Sequence, residues 1–177
     1  MTNYVYIATS LDGFIATADG GLDWLEKIPN PDGSDFGYAD FMSGIDALVM
    51  GRNTYEKVLS FGVWSYDKPV FVLSNTLDRV SEEMTGKAEV VKGEPREVVA
   101  DLNSRGYRNL YIDGGKVIQS FLKADRIDEM IITRLPVLLG DGVPLFGSLV
   151  DHTWFKHINT EILCGEMVQS HYTRKID

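Results

Sequence analysis

The sequence predicts a three-layer α/β fold: a mostly parallel, twisted sheet with helices on both faces and an antiparallel C-terminal edge. Three observations predict it. Short β-branched and aromatic runs alternate with segments of helical periodicity through most of the 177 residues, as in parallel strands joined by crossover helices. The last two apolar runs have no helical segment between them, which gives an antiparallel pair. Several strand-like runs stop at glycine or small polar residues, at the strand ends where such sheets bind ligands.

The elements follow in order. Tyr4-Val5-Tyr6-Ile7-Ala8 is a buried strand, closed by the turn signal Ser10-Leu11-Asp12-Gly13. A glycine-bearing loop passes Ala18 to Gly21, and a Pro/Asn/Gly loop runs from Pro29 to Gly33. Ser34 is the expected cap of a short helix that carries Phe36, Tyr38, Ala39, Phe41 and Met42 and stops at Gly44. Ala47 to Met50 is the second strand and runs straight into Gly51-Arg52-Asn53-Thr54, where a helix begins. Pro69 to Leu73, Glu89 to Val91 and Leu110 to Ile112 are the next three strands. Between the last two, Pro95 suits a first helical turn, Val98, Val99 and Leu102 form an apolar face, and Gly106 ends the helix. Val117, Ile118, Phe121 and Leu122 form the apolar face of another helix. Glu129 to Leu135 is the sixth strand, and the segments around 154–163 and 166–174 form a hairpin. No repeat or linker divides the chain, so one domain over 1–177 is expected.

Composition narrows the partners. The net charge of −9 leaves no basic footprint for nucleic acid or an anionic membrane. A phosphate-bearing cofactor stays open, because backbone N–H groups and one or two cations hold one locally. The single cysteine, Cys164, excludes an intrachain disulfide and reads as an inert core or turn residue. His152, His157 and His171 lack metal-ligand spacing, so no metal is expected. No basic segment with an apolar core opens the sequence, and no apolar run approaches the ~20 residues of a spanning helix. A soluble cytoplasmic protein is the expectation.

The strongest local signal is Tyr111-Ile112-Asp113-Gly114-Gly115-Lys116-Val117. A buried strand stops, two glycines follow, and an amphipathic helix starts. Glycine lets backbone approach a ligand, and the first N–H groups of a helix, with its dipole, attract an anion. The same residues also fit a plain βα turn. Met50-Gly51-Arg52-Asn53-Thr54 repeats this logic, and Val72-Leu73-Ser74-Asn75 delivers small polar residues to a third strand end.

These blocks resemble the dihydrofolate reductase superfamily. Leu48 to Glu56 looks like its Met-Gly-Arg block, Val70 to Asn75 its following strand and serine loop, Tyr111 to Val117 its Gly-Gly phosphate loop, and Ile131-Ile132-Thr133 its next strand. Ser10 to Ala16 and Pro136 to Phe146 are similar to the reductase domain of the bifunctional riboflavin-biosynthesis deaminase-reductase and its single-domain relatives. The resemblance implies a dihydrofolate-reductase-like fold, NADPH as cofactor, and a reaction like that of dihydrofolate reductase or 5-amino-6-(5-phosphoribosylamino)uracil reductase on a pteridine, pyrimidine or related heterocycle. It implies that Gly51, Arg52, Asn53 and Thr54 face the pyrophosphate and adenosine phosphate. Leu73, Ser74 and Asn75 would flank the adenosine, and Gly114, Gly115, Lys116 and Val117 would cradle the pyrophosphate. Ala8, Ile15 and Ile112 would pack around the nicotinamide.

Counting back from Gly51 at the family's spacing reaches Asp35, the candidate catalytic and substrate-anchoring acid. Asp35 equally suits a helix-start acid, and Asp12 is a competitor that also fits an Asp-Gly turn. Trp24 and Tyr38 are candidate substrate contacts, or core residues. Lys68 stands where folate-using members carry an arginine, and Phe14 where the riboflavin branch carries a lysine. Two alternatives remain open: a nucleotide-binding or regulatory module without hydride transfer, and a homodimer built on the C-terminal strands.

Overall fold

Alternation along the central strands gives each of them two apolar faces, and the computed structural model, which describes residues 1–175, shows what covers them. Residues 176 and 177 of the expected domain lie outside the described residues. The strands are β1 (Thr2–Thr9), β2 (Phe14–Ala16), β3 (Ala47–Gly51), β4 (Val70–Leu73), β5 (Ala88–Val91), β6 (Asn109–Asp113), β7 (Glu129–Arg134), β8 (Val143–Pro144), β9 (Phe155–Leu163) and β10 (Met167–Arg174). The helices are α1 (Tyr38–Ser43), α2 (Arg52–Ser60), α3 (Pro95–Ser104) and α4 (Gly115–Lys123), with 3-10 turns at Asp23–Lys27 and Glu82–Met84.

Eight strands form one sheet in the order β5-β4-β3-β6-β1-β7-β10-β9. The first six run parallel to one another. β10 is antiparallel to both β7 and β9, as the missing helix between the last two runs predicts. One face, carrying Val5, Val49, Phe71, Leu110 and Ile112, packs under Val98, Val99 and Leu102 of α3 and Val117, Ile118, Phe121 and Leu122 of α4. The opposite face, carrying Leu48, Met50, Val70, Val72 and Tyr111, packs under Tyr38 and Phe41 of α1 and Tyr55 of α2. A smaller cluster of Trp24, Leu135 and Met167 extends that second face toward β10.

Most element boundaries follow the apolar pattern. α3 begins with Pro95 in its first turn and a reciprocal Glu94–Glu97 capping box. The start of α1 differs from expectation. Gly37 is the N-cap residue, at φ 86, and the capping carboxylate is Asp35, which accepts the N–H groups of Gly37 (3.0 Å) and Ala39 (2.8 Å). Ser34 instead accepts the N–H of Phe36 at 3.0 Å. A carboxylate reaches further than a hydroxyl and carries the charge that a helix start favours.

The two-stranded β2–β8 ribbon was not anticipated. It packs against the start of α4: a Cβ on Gly115 would lie 3.1 Å from both Ile15 Cδ1 and Val143 Cγ1. The backbone N–H of Leu145 donates to the Gly13 carbonyl (2.9 Å) and fastens its end.

Candidate active site

β3 and β6 are adjacent parallel strands, yet the helices that follow them leave toward opposite faces of the sheet. This divergence opens a crevice at their C-terminal ends, the place where open α/β sheets bind ligands. Gly51 closes β3 and Gly114 follows β6. A Cβ on Gly51 would press on Val117 Cγ2 at 3.1 Å, and one on Gly114, at φ 87, would collide with Thr54 Oγ1. The two glycines therefore let the first turns of α2 and α4 meet.

Both helix starts lack a side-chain cap and any acid in the first turn. Each carries a cation there instead, Arg52 and Lys116, both exposed. A cation at a helix N-terminus is disfavoured by the dipole, whereas an anion placed between the two starts would satisfy both the N–H groups and the cations. These residues fit a group with linked phosphates. Arg52 is tied back by Nε donating to Glu56 (2.6 Å) and Nη1 to Thr76 Oγ1 (3.4 Å). Ser74 Oγ is within 3.4 Å of the same Thr76 hydroxyl and accepts the Leu77 N–H at 3.0 Å. The structure thus brings Gly51, Arg52, Thr54, Gly114, Gly115, Lys116 and Val117 to one place, with Asn53 exposed on the α2 start. Leu73 and Ser74 stand at the neighbouring strand end with exposed Asn75.

The remaining expected residues divide. Ile15 lies against the α4 start. Ala8 packs on the Trp24 cluster. Ile112 is 0% exposed within the α3–α4 core, so only its backbone borders the crevice. Trp24 is buried against Leu135 and Met167, with an indole Nε1 that has no partner. Tyr38 is half-buried and packs edge-on to Tyr6 with ring centroids 5.6 Å apart. Asp35 is exposed. Its bonds to the Ala39 and Gly37 N–H groups hold its carboxyl below the usual range. The structure gives Asp35 a capping position and not that of a buried acid, because its carboxylate is taken by the backbone N–H groups at the exposed start of α1.

A different acid occupies the crevice. Met50 pairs with Asp113 and Leu48 with Tyr111, so Asp113 projects on the α1–α2 face one step beyond Tyr111. It is half-buried. Burial pushes its carboxyl up to about 6, although the Gly114 N–H donates to Oδ1 at 2.8 Å. Tyrosines surround it. Burial, with the Asp113 charge adding to it, pushes Tyr38 up to about 12 and raises Tyr66 and Tyr111. Tyr111 donates to the Tyr6 carbonyl (2.8 Å) and Tyr6 to the Phe36 carbonyl (2.7 Å). The Tyr38 and Tyr66 hydroxyls have no such partner among the described residues. Behind them Trp64 packs on Tyr66 (5.3 Å) and Tyr55 (6.2 Å). In the sequence Asp113 is one residue of the glycine motif, with no role assigned to it. The available signal was its two-residue spacing from Tyr111, which places it on the aromatic face.

The strand order and the crevice between diverging helices define a protein of the dihydrofolate-reductase-like fold, with two uncapped helix starts and a carboxylate at the same strand ends. The chain belongs to the RibD C-terminal domain family, which matches residues 4–167. It is 52% identical to a putative riboflavin biosynthesis protein from Shewanella sp. PV-4, with a TM-score of 0.97 over 99% of this chain and 100% of that one. It shares its fold with the diaminohydroxyphosphoribosylaminopyrimidine deaminase/5-amino-6-(5-phosphoribosylamino)uracil reductase of Thermotoga maritima, at 17% identity and a TM-score of 0.73 over 98% of this chain and 56% of that chain. Dihydrofolate reductase from Enterococcus faecalis, complexed with NADP(H), matches with a TM-score of 0.69 at 17% identity over 99% of this chain and 97% of that one.

Proposed function

We propose that this protein is an NADPH-dependent reductase of a pteridine, pyrimidine or related heterocycle. One observation carries the reading: an anion cradle built from two helix starts shares its strand ends with a half-buried, high-pKa carboxylate. Gly51 to Thr54 and Gly114 to Val117 would hold the pyrophosphate, Arg52 the extra phosphate, and Ser74 and Asn75 the adenosine side. The cofactor, when bound, supplies a hydride. The chain's own part is to orient the ring, exclude water and hold a proton. Asp113 is the group placed to do the last. With its carboxyl near 6 it is partly protonated close to neutrality, and its Oδ atoms can deliver a proton to a ring nitrogen or oxygen, directly or through one water. Tyr38 and Tyr66 orient the ring, and Trp24 walls the side toward β10.

A second reading, a nucleotide-binding module without hydride transfer, is favoured by the exposed position of Asp35; Asp113 in the crevice weighs against it. Titration with NADPH and NADH, followed by nicotinamide fluorescence, tests the cofactor. NADPH is expected to bind more tightly, and Arg52→Ala to narrow the difference. Equal weakening of both would remove Arg52 from its assigned role, and no binding of either at millimolar concentration would sink the reading.

We also propose a homodimer through β9, acting in the cytoplasm; no helix among the described residues is long and apolar enough to cross a membrane. β9 is an edge strand with its seven central residues exposed, Ile158 and Ile162 among them. Antiparallel pairing with a second copy along this edge would satisfy its open backbone groups and cover both isoleucines. Light scattering should give twice the chain mass, and Ile158→Lys with Ile162→Lys should halve it. A monomer at all concentrations would refute the pairing.

A further inference from the structure

The crevice also carries information about what kind of ring it takes. Its wall on the α1–α2 face is aromatic: Tyr6, Tyr38, Tyr66 and Tyr111, backed by Phe41 and Trp64. Two buried donors behind this wall, the Tyr55 hydroxyl and the Trp64 indole Nε1, have no partner among the described residues, and Tyr55 is only 3% exposed. An unpaired buried donor is costly and calls for a polar guest or water. Asp113, when ionised, only accepts hydrogen bonds. The tyrosine hydroxyls beside it can donate or accept.

Among the described residues, no cation stands in this wall. α1 has no basic residue, and Lys68 lies by Asp46 at the opposite end of β3. Arg52 is engaged by Glu56 and Thr76, and Lys57 lies over the Phe61 ring. Between residues 23 and 40, the stretch whose Leu25, Ile28, Phe36 and Tyr38 pack on this side of the sheet, there are five carboxylates, all exposed, and one cation, Lys27. A cleft lined by one sign of charge concentrates ligands of the opposite sign and repels its own.

We infer that this pocket selects an unphosphorylated planar heterocycle, neutral or cationic, that presents N–H donors to Asp113, and that it rejects a phosphoribosylated ring. The inference rests on the reductase reading for the purpose of the pocket, but it separates this chain from the phosphoribosylated pyrimidine named for the Thermotoga maritima protein. The Tyr38 and Tyr66 rings would pack on the ring faces or edges. The carboxylates at the mouth would turn away a phosphate dianion.

The test uses a matched pair of probes, cytidine and cytidine 5′-monophosphate, which share an aminopyrimidine and differ by the phosphate. Binding is followed by tryptophan fluorescence on the full chain with NADP⁺ present at saturation, so that the anion cradle is already filled. Cytidine is expected to bind at least about tenfold more tightly than the monophosphate, with the gap shrinking as salt is added. Asp113→Asn should remove most of the cytidine binding. Asp32→Lys with Asp40→Lys, which lie outside the pocket wall, should recover binding of the monophosphate. Equal or tighter binding of the monophosphate by the unsubstituted chain overturns the inference, as does failure of both probes to bind at millimolar concentration. If NADP⁺ itself does not bind, the reductase reading fails, and the same probe comparison on the cofactor-free chain still decides the charge selectivity.

Discussion

Asp113→Asn should lower turnover by about 100-fold or more while making the folded protein more stable at neutral pH. The two effects have one cause. An aspartate in an unfolded chain titrates near ~3.9, and Asp113 in the fold is pushed up to about 6 by burial. Between those values the folded state binds more protons than the unfolded state, so stability falls as pH rises through the window. Above about 6 the ionised carboxylate costs the fold on the order of 2–3 kcal/mol, at ~1.36 kcal/mol per pKa unit. Below the unfolded value that cost vanishes. Asparagine keeps the shape and the bond from Gly114 but carries no charge, so urea unfolding of the variant should lose the fall in stability that Asp113 contributes across the same window. Proton delivery, in contrast, is lost outright. Asp35→Ala is the control. It removes the α1 cap and should cost about 1 kcal/mol with turnover within about twofold. An Asp113→Asn variant that kept its turnover, or kept the parent's pH slope, would remove Asp113 from the role given to it. A large loss of turnover in Asp35→Ala would return Asp35 to the site.

Gly114→Ala should be the most damaging small substitution at the cradle. Gly114 sits at φ 87 and ψ 135, a conformation that an L side chain occupies at a cost of about 1–3 kcal/mol. Its new Cβ would also collide with Thr54 Oγ1, and overpacking of this kind costs about 1–3 kcal/mol more. The two helix starts would be forced apart, so NADPH affinity should fall together with the urea midpoint. Thr54→Ala in the Gly114→Ala background should restore the overpacking share and leave the backbone share. If Gly114→Ala proved as stable as the parent chain, the close approach of α2 and α4 would lose its basis.

The central strands were legible because burial on both faces demands runs such as Ala47-Leu48-Val49-Met50, which few other environments tolerate. The same holds for α3 and α4, whose apolar spacing and Pro95 mark face and start. β2 and β8 were not legible. They are three and two residues long, and Pro144 argues locally against a strand interior although it suits an edge. The glycine-rich strand ends of the proposed cofactor side were readable because Gly-Gly and Gly-Arg there are local signals. The proposed substrate side was not. Trp64 and Tyr66 come from an irregular segment without periodicity, and Asp113 gains its importance only from the register of β6 beside β3. Asp35 shows the opposite case: chain distance puts it just before α1, but its carboxylate turns back onto its own backbone.

The open edge of β9 has a further consequence for handling the molecule. Its unpaired N–H and C=O groups, with Ile158 and Ile162 beside them, form a template that does not distinguish an orderly partner from a growing aggregate. At neutral pH the net charge of −9 opposes growth of such an aggregate beyond the paired dimer. Acidification discharges the carboxylates that supply this repulsion, and in the same range it protonates Asp113 and removes the internal strain there. Each folded chain thus becomes sturdier in mild acid while the solution becomes less colloidally stable, so precipitation under those conditions would reflect adhesion between native molecules and not unfolding.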